Sequence, residues 1–182
     1  MAVADLLARG RESFGGRAWA DACIHLKAAD ADRPLTVDDL ERLATAGYLT
    51  GQDEVSEDAW TRAHQECVAR EDVPRAVRCA FWLALGLMLR GEMARAGGWL
   101  SRAQRLLEDD PQDCVEAGYL LVPAGLHGIA SGDPAGGHAT FVRAAETGHR
   151  FRDPDLTALG RLGQGQALIR LGQTTEGLTL MD

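Results

Sequence analysis

Apolar residues recur at three- and four-residue intervals along nearly the whole chain, and no stretch alternates strictly. That period is the signature of amphipathic helices and predicts an all-α fold. Local punctuation divides the pattern. Gly15-Gly16 separates the first two apolar segments, and Thr36-Val37-Asp38-Asp39 has the form of a capping box, with Thr36 as N-cap and Asp39 reaching back. Asp110-Pro111, Asp133-Pro134 and Asp153-Pro154 each set an acceptor side chain before a first-turn proline, a common helix start. Helices are predicted over about 3–14, 17–30, 37–50, 54–70, 74–90, 93–108, 112–131, 135–150, 155–171 and 173–182. They pair into five hairpins without a long linker.

A second, longer period lies over the first. Ala22-Leu26-Ala29, Ala59-Ala63-Glu66, Ala96-Leu100-Ala103, Gly137-Phe141-Ala144 and Gly177-Met181 place a small residue four positions before a larger one, in all but the second copy. Another small residue (Gly10, Gly47, Ala84, Gly125, Gly165) precedes each anchor by the same interval. The copies are spaced by roughly 37 to 41 residues, within the range of helical-pair repeats. Gly or Ala at a helix crossing lets the two axes approach while the larger residue fills the groove alongside. The run Gly160-Arg161-Leu162-Gly163-Gln164-Gly165 belongs to the same class: no strand precedes it and no Gly-Lys-Ser/Thr follows, so a phosphate-loop reading fails.

The first copy resembles the tetratricopeptide repeat. Ala22, Leu26, Ala29 and Pro34 stand at that family's offsets, with Gly10 at its first-helix glycine. The later copies depart from it, with Ala63 where a large residue is usual and Glu66 where Ala is usual. The resemblance implies a right-handed α-solenoid of about five antiparallel helix pairs, a tetratricopeptide-like superhelix of about ten helices over one domain, 1–182. It also implies a concave surface lined by the first helix of each pair. By position that surface takes Tyr48 from the second pair and Arg78, Phe81, Leu85 and Met88 from the third. It takes Tyr119, Val122 and Leu126 from the fourth, then Leu162, Gln166 and Arg170 from the fifth. An exposed apolar and aromatic patch of that kind marks a partner or ligand site; in tightly coiled, degenerate repeats the same residues form an internal core.

A further resemblance covers nearly the whole chain. The stretches DLERLATAGYLTGQDEVSEDAWTRAHQE, RCAFWLALGLMLRGEMARAGGWLSRAQRLL and LGRLGQGQALIRLGQ are similar to the N-terminal helical-repeat region of actinobacterial LuxR-type transcriptional regulators. In that family a long repeat region precedes a C-terminal helix-turn-helix that binds DNA. The resemblance implies a role in transcription control through sensing or protein contact, and no candidate for a basic recognition helix stands in these residues. The fifth pair stops at Met181-Asp182 with Leu178, Leu180 and Met181 needing cover, whereas solenoids close with a polar cap. The expectation is a domain truncated in its fifth repeat.

Charge and composition narrow the function classes. Net charge is −8, and Lys27 is the sole lysine, so this segment is a poor binder of phosphate backbones by itself. The run Cys79–Leu89, bounded by Arg78 and Arg90, is far shorter than the ~20 residues of a membrane span and reads as a buried helix. Met1 to Phe14 mixes charged and apolar residues, unlike a signal peptide. Cys23, Cys67, Cys79 and Cys114 are scattered, which predicts buried reduced thiols in a cytoplasmic protein. His64 and Cys67 stand three apart on a solvated or half-buried helix face without a completing ligand pair. His127, His138 and His149 fall on different helices or helix ends. Trp19, Trp60, Trp82 and Trp99 sit at core-compatible phases.

No metal, cofactor or catalytic constellation is therefore expected. The sequence predicts a module that binds a protein, peptide or small effector in its groove, as the sensor or scaffold of a LuxR-type regulator. DNA binding is expected from a further domain, and no membrane contact is expected. The rival is a free-standing interaction adaptor, able to form homo-oligomers through its open C-terminal end. A small-molecule hydrolase or transferase would need convergent polar groups, of which the groove positions supply few.

Overall fold

The computed structural model describes residues 3–181, and all but one of the predicted helices form where the apolar period places them. They are α1 (Val3–Gly15), α2 (Trp19–Asp32), α3 (Val37–Leu49), α4 (Asp53–Ala69), α5 (Val73–Leu89), α6 (Met93–Asp109), α7 (Glu116–Tyr119), α8 (Leu121–Ala130), α9 (Pro134–Phe151), α10 (Pro154–Arg170) and α11 (Thr174–Met181). No strand occurs among the described residues. Asp182, the last residue of the expected raw end, lies outside them, as does Met1.

The exception is the predicted helix 112–131, which splits into α7 and α8. Pro123 accounts for the split. A proline ring clashes with the carbonyl four residues back, here that of Tyr119, and brings no N–H. Restarting the helix at Leu121 puts Pro123 in a first turn, where the missing N–H costs nothing. Asp110-Pro111 does not open a helix either: α6 runs to Asp109, and the Asp110 carboxylate accepts from Gln112 Nε2 at 2.6 Å. Asp133 and Asp153 do cap α9 and α10, accepting from Gly136 N at 2.9 Å and Leu156 N at 2.8 Å. Thr36 precedes α3 as expected, but its hydroxyl donates to the Asp39 carboxylate at 3.0 Å, so the reciprocal capping box is not made.

One turn, used over and over, makes the hairpins. Between α3 and α4 the Gln52 N–H reaches back to Gly47 O (2.8 Å) and Gly51 N–H to Tyr48 O (3.1 Å), with Gly51 at φ +70°. This is the Schellman closure, in which a left-handed residue lets two N–H groups satisfy the last helical carbonyls. The same pair of bonds closes the turns at Gly91, Gly132 and Gly172, and at Arg17, Glu71 and Arg152, which also take positive φ. Such short reversals force consecutive helices antiparallel.

The described chain divides into two compact units, one ending at Leu106 and the other beginning at Leu107. In the first, an alanine-rich core joins Ala22, Leu26, Leu40, Ala44, Ala59 and Ala63 across α2 to α4 and reaches Ala76 and Cys79 of α5; a second cluster joins Leu83, Ala84 and Leu87 of α5 to Ala96 of α6. In the second, Tyr119, Phe141, Leu156 and Ala167 are buried. The long repeat has the packing role its spacing predicts. A methyl group added at Gly10 would stand 2.8 Å from Leu26 Cγ, one at Gly125 2.7 Å from the Phe141 ring, and one at Gly165 2.6 Å from Met181 Cγ. Each of these small residues seats the larger residue of its own copy.

Candidate partner-binding surface

The eleven positions assigned to a groove separate into three groups. Phe81, Tyr119 and Val122 are buried, at 1%, 1% and 3% exposure, and do not line an open surface. Phe81 lies on α5, which is apolar around most of its circumference; its ring meets Trp82 edge-on at 5.1 Å. Tyr119 turns inward from α7, and its hydroxyl donates to Asp153 Oδ1 at 2.9 Å, joining α7 to the cap of α10. Arg78, Leu85, Met88 and Leu126 are half-buried, with Met88 packed on the Leu83–Leu87 cluster. Tyr48, Leu162, Gln166 and Arg170 are exposed.

Of these, Leu162, Gln166 and Arg170 follow one another at four-residue steps on α10, so they form one stripe along that helix. Ala158, one turn earlier on the same stripe, lines a cleft of about 450 Å³ at the junction of α9 and α10. His149 from the end of α9, Arg152 and Asp153 from the turn, and Thr157 and Arg161 from α10 supply its polar wall. The cleft was not legible as a motif. Its basic residues come from two helices brought together by the turn at Arg152, whose backbone takes φ +57°. Close approach of those helices is secured by glycine: a Cβ at Gly148 would lie 2.6 Å from Thr157 N, and one at Gly160 2.6 Å from Ala145 N. The result is a cleft that sets two arginines beside the Asp153 carboxylate, itself engaged by the Tyr119 hydroxyl and the Leu156 N–H, and that is continued by a mixed apolar and polar stripe. That arrangement suits an extended segment carrying a carboxylate, since guanidinium groups bind carboxylates with paired donors.

The other residues of chemical interest are structural. His64 and Cys67 are both buried, which corrects the expected solvated or half-buried face; α4 is covered by α3 on one side and α5 on the other. His64 Nδ1 lies 2.8 Å from Ala76 O, and its ring meets Trp99 edge-on at 5.2 Å, with Arg102 stacked 4.5 Å over the same indole. Burial lowers the His64 pKa below the ordinary histidine value, with Arg102 adding to the effect against the Ala76 hydrogen bond. The four cysteines are buried and free. His138 and His149 share α9, while His127 ends α8. No described helix is long and apolar enough to cross a membrane.

Asp39, a capping residue by its place in the sequence, is buried, which sequence reasoning missed. It is 1% exposed and receives Arg11 through two bonds of 2.8 and 2.6 Å and Arg42 at 2.9 Å. Those hydrogen bonds, that from Arg11 foremost, hold its carboxyl below the usual range against the opposing cost of burial. Its acidic character was visible in the sequence, but not that α1 would cover it.

No family model and no curated protein matches the chain. Solved structures do. A Rap protein complexed with competence and sporulation factor aligns over 96% of this chain and 50% of its own, at 16% identity and a TM-score of 0.71. The Rap conjugation gene regulator of plasmid pLS20, in complex with the Phr* peptide, aligns over the same shares at 17% identity and a TM-score of 0.72. At that identity the likeness establishes the fold, a tetratricopeptide-like helical repeat. The chain spans half the length of each of these structures.

Proposed function

We propose that this chain is a peptide- or protein-binding helical-repeat module, working in the cytoplasm as the N-terminal sensor or scaffold segment of a LuxR-type transcriptional regulator. The observation that carries the binding half is the repeat fold shared with two Rap structures, one complexed with competence and sporulation factor and one with a Phr* peptide. The regulator half rests on the sequence resemblance, with the gene regulator among the structural neighbours in support. The surface we assign to the partner is the α10 stripe Leu162–Gln166–Arg170 together with the cleft holding Arg152 and Arg161. The partner is an extended peptide segment with at least one acidic side chain.

Peptides selected from a random display library against the chain provide the test. Leu162→Ser and Arg161→Gln should each weaken the selected peptide at least ~10-fold, about 1.4 kcal/mol. Both sites are exposed, so folding stability should change by no more than about 0.5 kcal/mol. Unchanged peptide affinity in both variants would remove this surface from consideration. The reading frame beyond Asp182 tests the regulator half separately: it should encode a helix-turn-helix, and without one that half is lost.

A further inference from the structure

His64 stands where three helices meet. Its side chain is buried on α4; Nδ1 lies 2.8 Å from Ala76 O of α5, and the ring meets Trp99 of α6 edge-on at 5.2 Å. A carbonyl oxygen only accepts, so Nδ1 carries the proton of the neutral ring and Nε2 is the nitrogen left to take a second. The Arg102 guanidinium, one turn along α6, already lies 4.5 Å over the same indole. Protonating His64 sets a second cation beside an indole that holds one, in an apolar seam where an unpaired charge is costly.

The carboxylates on the surrounding helices are already engaged. On α4, Glu57 binds Arg90 and Arg95 and Glu66 binds Arg70, while Arg62 reaches Asp30 and Asp58. On α3, Asp38 and Glu41 hold Arg75 of α5; Arg78 follows on α5, half-buried two residues past Ala76. Near the start of α6, Arg95 also binds Glu92, and Arg105 donates to Ser101 O. Burial holds the imidazole pKa below the ordinary histidine value and the Arg102 charge adds to it, against the Ala76 hydrogen bond.

The segment of α6 that follows is fastened from both ends. Ala96 sits in the cluster of Leu83, Ala84 and Leu87, with Trp60 and Trp99 packed against it, and Leu106 packs on the alanine-rich core. We propose that His64 is a proton-operated latch on α6: taking up a proton frees Trp99 to Leu106 and uncovers the face of α4 that carries Trp60 and His64. In the open form the ring titrates at its ordinary pKa, near 6.5. Each pH unit below that favours opening up to ~10-fold, until the closed form is protonated as well. The latch is shut above this range and loosens as pH falls. It is independent of the peptide surface on α10.

Amide hydrogen exchange of the intact chain at pH 7 and pH 5, corrected for the intrinsic pH dependence of exchange, tests the latch. Protection over residues 99–106 should fall by about 10-fold at the lower pH, while that of α2 and α3 holds. His64→Asn keeps a donor for Ala76 O without a titratable ring and should show no fall. Arg102→Gln, at an exposed position, should show a smaller fall because the like charge is gone. If the Asn variant does not fold, as read by far-ultraviolet dichroism, the wild type and Arg102→Gln decide. Unchanged protection over 99–106 in the wild type overturns the proposal. So does a loss of equal size throughout α1 to α5, a fall that persists in folded His64→Asn, or one undiminished in Arg102→Gln.

Discussion

The two compact units use the same turn and the same helix pairs, yet hold consecutive pairs together by different means. Up to Leu106 the pairs are joined by arginine–carboxylate contacts 28 to 38 residues apart in sequence: Arg11 with Asp39, Arg62 with Asp30, Arg75 with Asp38 and Glu41, Arg90 and Arg95 with Glu57. Beyond Leu107 glycine takes over. Gly118 faces Leu156 and Thr147, Gly148 faces the Thr157 backbone, Gly160 faces Ala145, and Gly163 lies against the Phe141 ring. The hydrogen bonds from Tyr119 to Asp153 and from Gln164 Nε2 to Phe141 O are part-buried polar ties within that unit, while the contact of Arg150 with Asp113 lies at the surface. A joint built on ion pairs tolerates changes of side-chain size and responds to pH. One built on glycine does neither.

The largest effect expected from this contrast is at Phe141, whose ring is enclosed by Gly125 and Gly163. Phe141→Ala should cost about 3–5 kcal/mol in urea denaturation, because closely approached backbones cannot collapse into the space left. A loss under 1 kcal/mol would break the comparison. Next is Asp39→Ala, expected to cost about 2–3 kcal/mol; a buried carboxylate is removed, but Arg11 and Arg42 can turn to solvent, which keeps the loss below that of a fully enclosed pair. Gly163→Ala should cost about 1–3 kcal/mol by overpacking, measured on the same scale.

The pH response sharpens the comparison further. Asp30, Asp38 and Asp39 have carboxyls held low in the folded state, chiefly by hydrogen bonds from Arg62, Arg75 and Arg11. Their contribution is complete above the unfolded carboxylate pKa, about 4, and is lost as pH falls through the lower folded values. His64 acts in the same direction over a higher window. Its folded pKa is lowered, so the unfolded chain takes up the proton first and stability falls as pH drops below about 6.5. Denaturation followed from pH 7 to 3 by amide exchange should show protection in α1 to α4 lost before that in α9 and α10; equal loss would count against the ion-pair joint. The smallest effect is at Gly97, where an added methyl meets nothing within 4 Å. Gly97→Ala should stabilise the chain by about 0.4–1 kcal/mol, opposite in sign to Gly163→Ala.

Several of these features could be read from the sequence and several could not. The pairing of Gly10 with Leu26, and of Gly125 with Phe141, follows from a spacing visible in the residues. Gly51, Gly91, Gly132 and Gly172 carry an equally regular signal, at a period of about 40 residues, that marks every within-pair turn after the first. The proline at 123 was a legible break, and overlooking it produced one long helix in place of two. Phe81, Tyr119 and Val122 took the internal-core alternative that the sequence leaves open beside the groove. Their stripe was identified correctly as apolar, but whether an apolar stripe faces solvent or a neighbouring helix depends on the rotation of each helix about its axis.

That distinction runs through the whole molecule. Helix positions, the small residues at the crossings and the all-α class follow from interactions within one or two turns of chain, and those are written in adjacent residues. The burial of Asp39 and His64 and the cleft between Arg152 and Arg161 each depend on residues from separate helices. Their geometry depends on how closely two backbones approach and at what angle, quantities set by the packing of many side chains at once and carried by no single segment of sequence.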